Sequence, residues 1–369
     1  MNVRNPITEQ MVRVMVFGSL FAAGFLYGIE RLAQVMEIAW TMDPRSIPAA
    51  SQPHPHLLWE LPPGDTEVNG QSVHISTVGA RGPDTTWEKP AGIRRVLALG
   101  DGVSFGEGVS RESTYVVDAV NALGGTRVGV ETLLMSVPSY SIMQQRNLMD
   151  LRGWSLEPNV LILNGPGIDM GVAPYVDEDV LLPVRSRDAN RAMLEQLASF
   201  RILNHHLQVL SGDTARKREQ VFKHKYNHNK IGKPRVGVSA YAHHLDALTA
   251  SAIERGIAVV YVVYPVPEDL NDSHLTNRVS LYRNAMKDVA RRHGVSLVDG
   301  PQVFKKSGRD KDRLFLSARQ LSEYGHRTLG YALANTLRKW MRGRKLLGQG
   351  TGEPLPLYTE PDLLPPEAQ

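Results

Sequence analysis

The chain has 369 residues, no cysteine, and 42 basic against 38 acidic side chains, for a net charge of +4. Apolar residues make up 42% and charged residues 22%, the proportions of an ordinary globular protein rather than a disordered or fibrous one. The absence of cysteine excludes a disulfide framework, a thiolate metal site and a cysteine nucleophile, and so mild a net charge gives no electrostatic footprint for nucleic acid.

In chain order, the first signal is Val12 to Ile29 (VRVMVFGSLFAAGFLYGI), which carries no charge from Val14 onward. A spanning helix needs about 20 apolar residues, and Arg13 can snorkel to the headgroups. No small-x-small cleavage site follows the apolar core, so residues 1–40 read as an uncleaved signal anchor. Arg4 and Arg13 on its N-terminal flank orient the N-terminus inside and the rest of the chain outside. Residues 41–68, rich in proline, histidine and polar residues, read as a linker.

Beyond it, apolar runs alternate with helical patterns. Strands are expected at Arg95–Leu99, Arg127–Leu133, Val160–Leu163, Ile257–Tyr264 and Ser296–Val298. Helices are expected at Ser113–Leu123, Ile142–Leu151, Ala240–Arg255, Arg278–His293 and Ser322–Met341. Such alternation predicts an α/β domain with a parallel sheet covered on both faces. It spans residues 69–343 and is interrupted by an insertion at about 171–239. The insertion carries an amphipathic helix (Ala189 to Leu210) and the basic stretch ARKREQVFKHKYNHNKIGKPR, which suits either a solvated loop or contact with anionic headgroups or an acidic partner. The paired histidines His205-His206 and His243-His244 face different sides of a helix, and no metal-binding spacing appears, so no metal or other cofactor is expected. Residues 344–369 read as a proline-rich tail.

The chemistry lies in Arg94 to Val109, RRVLALGDGVSFGEGV. An apolar run breaks at Gly100-Asp101-Gly102 and a glycine-spaced turn follows. This segment resembles the first sequence block of the SGNH (GDSL-type) hydrolases, Gly-Asp-Ser followed by a Thr/Ser-Phe-Gly turn. Three further segments resemble the remaining blocks in the correct order: VETLLMSVPSYS (Val130 to Ser141), PNVLILNGPGIDM (Pro158 to Met170) and LFLSARQLSEYG (Leu314 to Gly325). The resemblance runs from about Asn69 to Trp340, and Glu67 to Pro83 looks like the strand-and-turn lead-in of some members. It implies a three-layer αβα, flavodoxin-like fold with strand order 2-1-3-4-5.

It also places catalytic positions on residues that cannot fill them. The nucleophile position falls on Gly102, and the second-block Asn and oxyanion-hole Gly positions on Leu134 and Ser136. The third-block Asn falls on Ile168, and the orienting Asp and general base on Ser317 and Gln320. Glycine has no hydroxyl, and a glutamine amide does not titrate near neutral pH. Since such a set acts as a unit, the chain is expected to be a catalytically silent, membrane-anchored member. The expected role is that of a scaffold or accessory subunit of a cell-envelope complex, in a bacterial inner membrane with the domain in the periplasm. Its partners would then be membrane lipid through Val12–Ile29 and other membrane or envelope proteins. One alternative is a glycan- or acyl-binding pseudoenzyme whose emptied pocket is lined by Asp101, Ser104, Ser136, Asp169, Ser317 and Gln320. Another is an active esterase or O-acetyltransferase with relocated residues, Ser104 and His326. Against this second alternative, the resemblance makes Ser104 a turn-capping hydroxyl and puts His326 on the last helix.

Overall fold

The computed structural model describes residues 6–38, 50–54, 56–172, 175–181 and 184, isolated positions between 197 and 207, and then 233–270 and 277–343. A long N-terminal helix, α1 (Pro6–Ile38), includes the segment Met15–Ala33, the one stretch among the described residues long and apolar enough to cross a membrane. Its large apolar side chains face outward, from Phe17 and Phe21 to Phe25 and Leu32.

The described part of the expected linker 41–68 is not a plain tether. From position 50 onward this stretch is folded. Strands β1 (Gln52–His54) and β2 (Leu58–Glu60) pair antiparallel, as do β3 (Gly64–Val68) and β4 (Gln71–Ile75). Leu57, Leu58 and Trp59 are fully buried in the main core. The apolar cluster LLWEL at 57–61 supplies the burial that a tether lacks.

The central sheet is all parallel: β5 (Arg94–Leu99), β6 (Val130–Leu134), β7 (Val160–Gly165), β8 (Ala258–Val263) and β9 (Ser296–Asp299). Its order is β6-β5-β7-β8-β9, which is 2-1-3-4-5 when counted within the sheet. Alternation along the strands splits the interior into two layers, because successive side chains point to opposite faces. Leu97, Leu99, Leu161, Leu163, Tyr261 and Val263 point to one layer. That layer is covered by α4 (Ile142–Leu148) and by two helices numbered below, Val238–Glu254 and Asn277–His293. Val96, Ala98, Ile162, Val260 and Val262 point to the other, covered by α3 (Tyr115–Asn121) and the C-terminal helix Glu323–Gly343. The fold is therefore a three-layer αβα sandwich of the flavodoxin-like kind.

The remaining elements in chain order are α2 (Gly102–Phe105), which follows β5, α5 (Asp177–Val180), α6 (Val238–Glu254), α7 (Asn277–His293), α8 (Gly300–Ser307), α9 (Lys311–Leu314), the hairpin β10 (Phe315–Ser317) and β11 (Gln320–Leu321), and α10 (Glu323–Gly343). Local chemistry sets their ends. Ser141 and Gln144 form a reciprocal capping box that starts α4. Asp101 caps α2, and Gly106, in the left-handed region at φ 86°, ends it after one turn. The β6 strand begins later than the expected Arg127, because Gly125–Val128 forms a 3-10 turn closed by left-handed Gly129. The expected tail 344–369 and most of the insertion lie outside the described residues.

Candidate functional site

In open parallel sheets, ligands meet the carboxyl ends of the strands where the strand order reverses. Here that point lies beyond β5, between its neighbours β6 and β7, and it is where the four sequence blocks converge. The first block turns from β5 into α2, and α2 packs against β11 of the last block. Gly108 approaches β10 so closely that a Cβ on it would lie 2.8 Å from Leu316 Cδ1.

The carboxyl of Asp101 joins the first block to the third. It accepts from Val103 N at 3.2 Å and also from the Ile168 backbone. Gly167 passes against it with no room for a side chain. Asp169 joins the third block to the second, with Oδ1 accepting from Ile142 N at 2.8 Å, at the first turn of α4. Both acids thus satisfy helix-start N–H groups that have no intrahelical partner.

Gly102 has no side chain, but the space is filled. A Cβ built on Gly102 would overlap the carboxyl of Glu107. The Glu107 side chain folds back over Gly102 and accepts a hydrogen bond from Asn69 Nδ2. Asn69 sits with left-handed backbone (φ 51°) in the turn between β3 and β4. Beside it, Gln71 accepts from Gly108 N at 3.2 Å and donates to the Val109 carbonyl. Arg81, just past β4, donates to the carbonyls of Phe105, Gly106 and Val109 at 2.6–2.9 Å. The lead-in hairpin therefore closes over the first-block turn and holds Glu107 in place.

Burial raises the Glu107 carboxyl to about 7, with the neighbouring Asp101 charge adding to the effect. Asp101 is raised as well, by burial, against the opposing pull of its backbone donors and Arg319. Burial likewise takes Asp169 to about 7. Arg319, exposed in the β10–β11 turn, supplies the positive charge that Asp101 and Glu107 both feel. On the same side, the Tyr264 hydroxyl is buried without a partner. This cluster can hold protons on carboxyls, but it holds no activated hydroxyl beside a base.

The remaining sequence-derived positions divide into two groups. Ser136 is buried and donates to the Ala98 carbonyl at 3.2 Å. Leu134 is a core residue of β6, and Ile168 contributes its backbone to Asp101. Ser317 is exposed and donates to Gln320 Oε1 at 3.3 Å, so these two bond to each other rather than to the first block. Ser104 caps no turn. It is fully buried, with Oγ 2.6 Å from the Tyr115 hydroxyl. His326 is on α10, fully buried and stacked on Tyr115, and its Nδ1 accepts from Tyr115 N at 3.3 Å. Burial and nearby Arg81 lower its pKa to about 3. Tyr115 thus bonds to both Ser104 and His326, and neither faces solvent. Among the described residues, no group of three His, Cys, Asp or Glu is arranged to hold a metal ion.

Sequence reasoning did not single out Glu107, Asn69 or Arg319. The signal for Glu107 was present, since an acid between two turn glycines (Gly106-Glu107-Gly108) follows the nucleophile position by five residues.

No protein-family model matches the chain. No curated protein matches it in sequence. Similar solved structures include an α/β hydrolase, acetylxylan esterases and a putative lipolytic protein of the G-D-S-L family. LAE5, an α/β hydrolase enzyme from the metagenome of Lake Arreo, is 14% identical over 71% of this chain and 99% of its own, with a TM-score of 0.44. Axe2, an acetylxylan esterase from Geobacillus stearothermophilus, is 14% identical over 67% of this chain and 95% of its own, with a TM-score of 0.43. Identities this low concern the fold only, and the fold is already fixed by the strand order and parallel register of β5 to β9.

Proposed function

We propose that this chain is a non-catalytic, SGNH-hydrolase-like protein held by α1 in a bacterial inner membrane. Its domain lies on the periplasmic side and serves as a scaffold or accessory subunit of an envelope complex. One observation carries the reading: at Gly102, where the resemblance places the nucleophile, the space is filled by the carboxyl of Glu107. A carboxyl held there by Asn69 occupies the space that a nucleophile's side chain would take. The rest of the site is consistent with it. Gln320 and Ser317 are neither base nor acid, and Ser104 and His326 are buried, each bonded to Tyr115. Acyl transfer needs a hydroxyl, a base within hydrogen-bond reach and donors for the oxyanion.

The test is labelling of the purified full-length protein by a serine-directed fluorophosphonate, run beside an active esterase and followed by affinity purification from gently solubilised membranes. No labelling, together with a stoichiometric co-purifying envelope protein, is the expected result. Labelling that Ser104→Ala abolishes would overturn the non-catalytic reading.

A further inference from the structure

Where α1 meets the domain, Glu30 sits one turn before the end of the apolar segment Met15–Ala33. Its Oε2 accepts from Ser199 N at 3.0 Å and from Ser199 Oγ at 2.6 Å. This places the insertion against the membrane-proximal end of α1. Ser199, Phe200, Ile202, Leu203 and Leu207 are all helical. In the helix expected from the sequence over Ala189 to Leu210, Ser199, Leu203 and Leu207 recur every fourth residue, the spacing that keeps side chains on one side of a helix. The row that begins on Glu30 therefore continues as leucines. Those leucines are not packed: Leu203 is 58% and Leu207 57% exposed. A helix on a water-soluble surface turns such a row inward. Here it is bare beside the one segment whose outward apolar side chains call for lipid. Further along in sequence, past Asp213, the stretch from Ala215 to Pro234 carries seven Lys/Arg and a single acid, Glu219. An apolar helical face followed by a basic run is the composition of a segment that lies in the plane of an anionic membrane surface.

We propose that the face bearing Leu203 and Leu207 lies in the headgroup–acyl boundary of an anionic phospholipid bilayer. This inference rests on α1 being the span of that same bilayer. The Glu30–Ser199 contact then fixes the insertion at the depth of the interface, and the domain rests on the membrane rather than standing off it.

Because the chain has no native cysteine, single-cysteine variants report one position at a time. Full-length protein carrying Leu203→Cys, Leu207→Cys or Phe21→Cys is labelled with a polarity-sensitive fluorophore. It is then reconstituted into phosphatidylcholine vesicles with and without phosphatidylglycerol. Nitroxide lipids, labelled either near the headgroup end or near the tail end of the acyl chain, serve as quenchers. Probes at 203 and 207 are expected to shift to the blue in the anionic vesicles and to be quenched more by the shallow label. The probe at 21 is expected to be quenched more by the deep label. If position 21 is quenched while 203 and 207 report water, the interfacial face is overturned and the span stands. If none is quenched, the span reading fails and takes the inference with it. Equal quenching at 203 and 207 in both vesicle types would overturn the requirement for anionic lipid.

Discussion

Glu107 and Asp169 carry carboxyls raised to about 7 in the folded protein, from ordinary values near 4. The sign of the consequence follows from linkage. Between the two values the folded state binds protons that the unfolded state has released, so stability is lost as pH rises through the folded pKa. Each such group is worth roughly 1–3 kcal/mol across the window from about pH 4 to pH 8. Glu107→Gln keeps the shape and removes the charge, so the variant should lose less melting temperature than wild type between pH 5 and pH 8. Gly102→Ala should have the same effect by a different route, because its methyl group expels the Glu107 carboxyl into water, where its pKa returns to the ordinary range. Melting curves across that pH series check both. A Gly102→Ala protein with the full wild-type pH slope would mean that Glu107 does not occupy the space over Gly102.

The survival of Asp101 and Asp169 beside so many unsuitable catalytic positions also has a residue-scale cause. Each acid satisfies backbone N–H groups at the start of a helical turn, and removing such a cap costs about 1 kcal/mol. A nucleophile or a base contributes nothing comparable to folding, so its replacement leaves the sheet intact. This is why the block pattern could be read in the sequence although Gly102, Ser317 and Gln320 stand at its nucleophile, acid and base positions.

At the scale of elements, the five sheet strands and five covering helices were legible because each carries a clear apolar period. Their ends were less so. Ile142–Leu151 was expected as one helix, but α4 stops at Leu148 and passes into a π turn over Met149–Gly153. A turn of that kind has no signature in apolar spacing. The basic stretch was misleading in a different way, because its last residue is not a surface charge. Arg235 is buried, with Nε 2.7 Å from Asp177 Oδ1, a further bond to Gln144 Oε1, and the rings of Trp59 and Tyr175 against its guanidinium. Burial alone would lower its pKa, but the Asp177 charge outweighs this and leaves it raised. The pair ties the end of the insertion to α4, α5 and the lead-in at once. Arg235→Ala would strand Asp177, itself fully buried, as an uncompensated charge. The expected loss is about 3–5 kcal/mol, read from urea unfolding midpoints. A loss below about 1 kcal/mol, the range of a surface pair, would show that this network is not a structural joint.

At the scale of the whole molecule, the question is where the folded unit begins. Composition drew the boundary at residue 69, after the prolines; the packing draws it near residue 50. Leu57, Leu58, Trp59 and Leu61 are buried against the α4 side of the sheet. Polar bonds hold the backbone there: Gln144 Nε2 donates to the Leu57 carbonyl at 2.6 Å, Asn147 Nδ2 to the His56 carbonyl at 2.7 Å and the Tyr140 hydroxyl to the Trp59 carbonyl at 2.6 Å. Beginning the chain at 69 would uncover a groove lined by those donors and by the apolar face of α4. It would also remove four large buried side chains, at about 1.5–3 kcal/mol each. The total, on the order of 10 kcal/mol, is comparable to the whole stability of a domain, about 5–15 kcal/mol. A chain of residues 50–343 should therefore be soluble and melt cooperatively, whereas one of residues 69–343 should aggregate or show no cooperative transition. Circular dichroism melts of the two chains, expressed side by side, decide between the boundaries. A 69–343 chain that melts within a few degrees of the longer one would return residues 50–68 to the status of a tether. The domain would then hang from α1 without resting on it.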